Sequence, residues 1–429
     1  MNPVPSAHHW RAEGLKFSRQ PLAWGALAAL LVVLLVAAVS AGRDARAWRS
    51  AAAQDAVLHA ALLERAVEQF RTGPPPGPAR AVATYELGRG ELGSTRMPVD
   101  AGLALGVQRL GVLPVRLKAS LDSRHVDARD PGPLRNPLLA DAALPGLPAM
   151  VALLLPLVAL VLCAGLLQEE REQGRLALLR LQSQGGAGPV LVAALGWRFI
   201  ALWGVAIAAT LPAWGLDPGT TARVALEWSA ALGVFCALWV VVGGALSCAP
   251  LSGAASMLAA LGLWLALTFA VPAALVQLAR DRDPMPSRLA AIVAIRSAQQ
   301  EGEDHEAERA RAWYAAHPAV PARLPAVWPA SFVSRVLVQD RELQPLAQAF
   351  RERRSAQADF VERWSWSSPG LALVLFGQRL AGTDAARHAR YLERVDAFEA
   401  AWRECLVPRV MDREGLDAGE VAALPRFGR

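Results

Sequence analysis

The sequence predicts a mainly α, polytopic helical membrane protein with about five transmembrane helices and two extracytoplasmic domains, the first mixed α/β and the second helical. Three observations lead there. The chain is 54% hydrophobic and 19% charged over 429 residues, with the two kinds of residue segregated rather than mixed. Near-chargeless runs long enough to cross a bilayer recur between Pro21 and Leu278. Between and after them lie stretches rich in Arg, Pro, Asp and Glu, which suit water.

Residues 1–20 read as a cytoplasmic N-terminus, with Arg11, Lys16 and Arg19 against a single acid, Glu13. Residues 21–42 carry no charge and make about 33 Å of helix, against a hydrocarbon core of about 30 Å. A basic head, an apolar core and small residues at 38–42 would also suit a cleaved signal peptide. The core is long for a signal and further spans follow, so a retained first helix with its basic end inside is expected.

Residues 43–146 are assigned to the first extracytoplasmic domain. Apolar residues recur at helical spacing over 51–71, Gly73 and the prolines after it break that helix, and 115–121 alternates with the period of a strand. The second transmembrane helix, 147–167, brings the chain back inside. Residues 188–278 hold helices three to five, with Trp197 and Arg198 as membrane-interface residues, Gly243 and Ser247 as a small-residue contact, and Pro272 as a kink. The remaining stretch, 279–429, reads as the second extracytoplasmic domain, helical over 288–311, 332–364 and 384–407. Its one apolar run, 371–376, is too short to span.

Residues 168–187 stand apart, a charged segment held between two spans at the cytoplasmic face. Arg171, Arg175 and Arg180 balance Glu169, Glu170 and Glu172, while Leu176, Leu179 and Leu181 supply an apolar side. Glu172 and Arg175 lie three apart, so acid and base share one helical face. An ordinary solvated loop helix would carry the same pattern.

Other function classes leave little trace. The net charge of +6 is almost all arginine, and no basic run with interleaved aromatics or zinc-finger spacing points to nucleic acid. No GxxxxGK[ST] loop is present to cradle phosphates, and neither HExxH nor GxSxG occurs. Acidic residues and His305 cluster at 301–306, which reads as a solvated helix start rather than a metal site. Cys163, Cys236, Cys248 and Cys405 form no CxxC, and only Cys405 is expected to face water. No catalytic residue, metal or cofactor is therefore assigned to the chain, and it is not expected to be an enzyme.

The span followed by Glu169-Glu-Arg-Glu-Gln-Gly-Arg-Leu-Ala-Leu-Leu-Arg180 and a further span resembles the segment after the second helix of ABC-2-type transporter permeases. Glu170, Arg171, Glu172, Gly174, Leu176 and Leu179 carry the match. The chain departs at Arg175, where the family usually has Thr, and at Arg198, where Gly-Lys is common. The resemblance implies that 168–187 is a coupling helix docking an ATP-binding subunit, with Glu169 and Arg175 included. It further implies ATP and Mg in that partner alone, a second permease subunit as homodimer or homologous chain, membrane lipid as surroundings, and a bacterial inner membrane.

A narrower resemblance rests on Asn136-Pro137-Leu138, Ser368-Pro369, Leu380-Ala-Gly382-Thr383-Asp384 with His388, Trp402-Arg403 to Pro408-Arg409, and Leu424-Pro425-Arg-Phe427. These are similar to a branch of such permeases whose C-terminal half is a domain of unknown function, often grouped with multicopper-enzyme maturation permeases. The implied function is the permease subunit of an ATP-binding cassette transporter, with no substrate specified. The alternative is a membrane-anchored assembly or sensing module that transports nothing.

Overall fold

The computed structural model describes residues 5–124, 145–176 and 187–428. Asn136, Pro137 and Leu179 lie outside the described residues, as does the side chain of Glu169.

Helix α1, Ala7–Ser18, precedes α2, Pro21–Thr72, a single helix of 52 residues. Pro21 sits in the first turn, where its missing amide hydrogen costs nothing. The first apolar run and the amphipathic helix expected to leave it form one rod, because no Gly or Pro interrupts 43–72. Next come α3, Pro78–Arg89, and the antiparallel pair β1, Ser94–Arg96, and β2, Arg116–Lys118, with Thr95 opposite Leu117.

Helices α4, Leu147–Cys163, and α5, Leu166–Glu172, follow, then α6, Ala187–Leu216, and α7, Ala222–Cys248. Helix α8, Gly253–Leu265, passes through a π turn at Ala266–Ala270 into α9, Val271–Arg282. That wide turn lies just before Pro272, where the sequence predicts a kink. Among the described residues, five helical stretches are long and apolar enough to cross a membrane: 21–72, 147–172, 187–216, 222–248 and 253–282. The protein is mainly helical, and by length and composition these five stretches suggest a membrane protein.

Small residues set the spacing between the spans. A Cβ added at Gly42 of α2 would fall 3.1 Å from the Ala213 backbone of α6, so only glycine permits this approach. A Cβ at Gly243 of α7 would lie 2.6 Å from the Cys163 Cβ of α4, a closer approach still, as the expected small-residue contact requires. Beyond the spans, Arg49 Nε lies 2.5 Å from Asp217 Oδ1, tying α2 to the α6–α7 turn.

The last third comprises α10, Arg288–Asp304, α11, Glu306–Ala316, α12, Ala330–Trp364, α13, Pro369–Ala381, α14, Ala385–Met411, and the short α15, Ala418–Ala422. The two domains read from the sequence are not separate bodies. Phe70, Tyr85 and Leu121 share one core with Val333, Phe398, Trp402 and Leu406. Trp402 Nε1 donates to the Gly88 carbonyl at 3.0 Å, and Arg403 donates from Nη1 to Asp340 Oδ2 at 2.7 Å, from Nε to the Ser120 carbonyl and from Nη2 to the Asp122 carbonyl.

Helix α13 then returns to the spans. A Cβ at Gly370 would meet the Ala152 methyl of α4 at 3.3 Å, and Ser368 Oγ donates to the Leu267 carbonyl in the π turn at 2.7 Å. The π turn frees backbone carbonyls from the regular ladder, and Ser368 satisfies one of them.

Candidate functional site

The site begins with a break in a helix. Helix α4 stops at Cys163, Ala164 and Gly165 form a turn, and α5 resumes at Leu166. Three neighbouring helices satisfy the backbone groups this break exposes. Arg198 Nε of α6 donates to the Leu162 carbonyl at 2.8 Å, Ser256 Oγ of α8 donates to the Ala164 carbonyl at 2.7 Å, and Ser247 Oγ of α7 accepts from the Leu167 amide at 2.8 Å. Gln168 Nε2 adds a bond to the Leu246 carbonyl at 2.8 Å. All four side chains are buried. In an apolar bundle an unpaired backbone group is costly, so the break persists because these side chains complete it. Gln168 Oε1 has no partner among the described residues.

A charged layer lies on the α5 side of this collar. Glu170 takes Lys16 Nζ of α1 at 2.7 Å on one oxygen and Arg175 Nε at 3.0 Å on the other. Glu172 Oε1 accepts from the Gly253 amide at 2.8 Å, where the positive end of the α8 dipole favours a carboxylate. Arg171 Nη1 donates to the Ala249 carbonyl at 3.0 Å. Gly174 adopts φ +69, a left-handed turn that glycine makes without strain.

Helix α1 packs across the same end of α6. Trp197 Nε1 donates to the Trp10 carbonyl at 2.9 Å, and the two indoles meet edge to face. Arg198 lies over the Phe17 ring at 5.3 Å. Glu13 is half-buried beside Lys16 and Arg198, and burial raises its pKa above the ordinary carboxylate value despite those cations.

The structure thus unites Glu170, Arg171, Glu172, Gly174 and Arg175 in one cluster, with Leu176 half-buried beside them. Glu170 is buried and its charge is engaged by Lys16 and Arg175. Arg198 is only 2% exposed, and Trp197 holds α1. Sequence reading missed Lys16, Gln168 and Ser256; polar Gln168 and Ser256 bordering apolar runs were the signal available. Cys248 is exposed together with Cys405, which was expected to stand alone.

The motif residues of the C-terminal part lie elsewhere and shape corners. Gly382, at φ +70, ends α13, buried Thr383 packs against Gly106, and Asp384 caps α14 by accepting from the Arg387 amide at 3.0 Å. Phe427, two residues after Pro425, stacks edge to face on Tyr391 and Phe398. His388 Nε2 lies 3.1 Å from the Pro114 carbonyl, and burial lowers its pKa.

Residues 288–428 match the family model of a domain of unknown function, DUF3526. The match opens where α10 opens and covers α10 to α15. No curated protein and no solved structure matches the chain. The residues around the helix break lie outside the matched region.

Proposed function

We propose that the chain is the membrane-spanning permease subunit of an ATP-binding cassette transporter of the ABC-2 type, in a bacterial inner membrane. A separate ATP-binding subunit, holding ATP and Mg, engages α5 and the turn at Gly174, and a second permease subunit completes the assembly. The observation that carries this reading is the charged α5 at a side-chain-completed break, wired to α1 by Lys16 and to α8 by Glu172.

A push on α5 rotates it about Ala164 and Gly165. The Lys16–Glu170 pair then carries the motion to α1, and the Glu172 carboxylate carries it to the start of α8. Bonds made by side chains can be exchanged at lower cost than a continuous helical ladder, so the break acts as a hinge. The orphan Gln168 Oε1 gives a second arrangement something to gain. A partner that contacts α5 differently in its two nucleotide states shifts the balance between two arrangements of the spans.

The test is purification of the detergent-solubilised protein from its native membrane, with ATPase activity assayed on whatever accompanies it. An accompanying ATPase that loses its stimulation when exposed Arg171 is changed to Glu supports the reading. Purification without an ATPase rejects it, and leaves the anchored assembly or sensing module as the reading to pursue.

A further inference from the structure

Helices α9, α12 and α13 and the half-buried side chain of Arg109 enclose a cavity of about 270 Å³. Its height along the spans can be measured on the α8–α9 rod. Ser368 is bonded at Leu267, about 21 Å along the helix from Gly253, which is within a hydrocarbon core of about 30 Å. Val276, which lines the cavity, lies about 35 Å from Gly253 by the same rise, at the depth of lipid headgroups. The cavity therefore opens where the α12–α13 hairpin leaves the apolar layer. Trp364 and Trp366 are exposed at the tip of that hairpin, 43% and 69% respectively.

The lining has two characters. Val276, Ala279, Val361 and Leu375 form an apolar wall, and Arg109, Arg354 and Arg379 converge beside it. The cavity's two carboxylates do not neutralise all of this charge. Glu362 faces Arg379 at 3.7 Å, while Asp384 caps α14 and faces Arg387 at 3.7 Å. Arg109 and Arg354 are left without a carboxylate partner among the described residues; Arg109 donates instead to the neutral side-chain oxygen of Gln378. Burial pushes the Arg109 guanidinium below its ordinary pKa, and the nearby carboxylates of Asp384 and Glu362 offset this only in part.

We propose that this cavity binds the anionic headgroup of a membrane phospholipid, its phosphate held by Arg109 and Arg354 and its chains running down the apolar wall into the bilayer. The size fits a headgroup alone, being below the roughly 300–1,000 Å³ of pockets that enclose a whole drug-sized ligand. Two guanidiniums suit phosphate oxygens, and the adjoining apolar wall favours an anion that carries alkyl chains over a free one. The inference rests on the membrane reading of the five helices and not on an ATPase engaging α5.

The test uses the full chain, purified and delipidated in detergent, with thermal shift and native mass spectrometry as readouts. The probes are phosphatidylglycerol, phosphatidylcholine and inorganic phosphate. Phosphatidylglycerol is expected to remain bound and to raise the melting temperature more than phosphatidylcholine does. Arg354→Ala, an exposed change that leaves the fold intact, is expected to weaken that binding about tenfold, the loss of one charge-assisted bond. Arg109→Gln combined with it should abolish the preference. Equal effects of the two lipids, or unchanged binding in Arg354→Ala, would overturn the site. A shift from inorganic phosphate equal to that from phosphatidylglycerol would overturn the lipid assignment.

Discussion

Arg198 of α6 donates from Nε to the Leu162 carbonyl of α4 at 2.8 Å, so a buried cation closes the last turn before the helix break. Its Nη1 also donates to its own helix at the Ala194 carbonyl, 2.9 Å away, which fixes the side chain in place. Arg198→Met keeps the volume and loses the donors. The Leu162 carbonyl is then stranded in an apolar bundle, at a cost of about 1–3 kcal/mol. A lower melting temperature in detergent is expected, with Arg198→Lys intermediate. Equal stability of the Met variant and the parent would show that the bond is incidental.

Lys16 and Glu170 meet at 2.7 Å across 154 residues, yet the Lys16 side chain is 47% exposed. Solvent screening limits such a pair to at most about 1 kcal/mol, so its removal should barely move stability. Its effect belongs to transmission. Lys16→Glu is expected to uncouple ATPase stimulation with little change in melting temperature, and Lys16→Glu with Glu170→Lys should restore part of it. Stimulation that is indifferent to both variants would remove α1 from the proposed path.

The five apolar runs were legible because length and hydropathy suffice to find a stretch long enough to span. The break at Ala164 was not legible. It contains neither Pro nor a run of helix breakers, and it is stabilised by Arg198, Ser247 and Ser256 from helices distant in sequence. The shared core was hidden for the same reason: nothing local to Tyr85 or Leu121 announces Trp402. Glu170 reads as a surface carboxylate because its partner Lys16 lies 154 residues away, before the first span.

Glu13 gives the docking of α1 a pH dependence. Burial raises its folded pKa above the model-peptide value, so the folded chain holds this proton more tightly than the unfolded chain does. Stability from this group is therefore fully present below the unfolded pKa and is lost as pH rises through the folded one. Glu13→Gln removes the penalty of the buried charge. Its melting temperature is expected to exceed that of the parent most at neutral pH, with the gap shrinking towards pH 4. A gap constant with pH would assign the effect to packing.

Arg403 holds the two outer stretches together. It is 8% exposed, pairs with Asp340 at 2.7 Å and with Glu399 at 2.9 Å, and donates to the Ser120 and Asp122 carbonyls. Arg403→Ala takes away the guanidinium shared by the buried carboxylates of Asp340 and Glu399, which keep their contacts to Ser123 and Arg124, and a loss of about 3 kcal/mol is expected. Limited proteolysis should then cut between residues 73 and 124 at lower protease concentrations. An unaltered cleavage pattern would mean that apolar contacts alone join the two stretches.

Cys248 and Cys405 are both exposed, and if the one stretch of spanning length between them among the described residues crosses a membrane they face opposite sides. Helix α7 ends at Cys248 beside the turn that meets Arg171, on the side of α5. Cys405 lies on α14, beyond the fifth apolar helix. With a cytoplasmic N-terminus, a membrane-impermeant maleimide should label Cys405 in cells with a permeable outer layer and Cys248 only after the inner membrane is opened. Burial, reinforced by Glu404, pushes the Cys405 thiol up, so its labelling should quicken as pH is raised from 7 to 8.5. Labelling of both cysteines from the same side would require an even number of crossings between them. That result would take α8–α9, the one apolar stretch of spanning length between them among the described residues, out of the membrane, and with it the depth argument for the headgroup site.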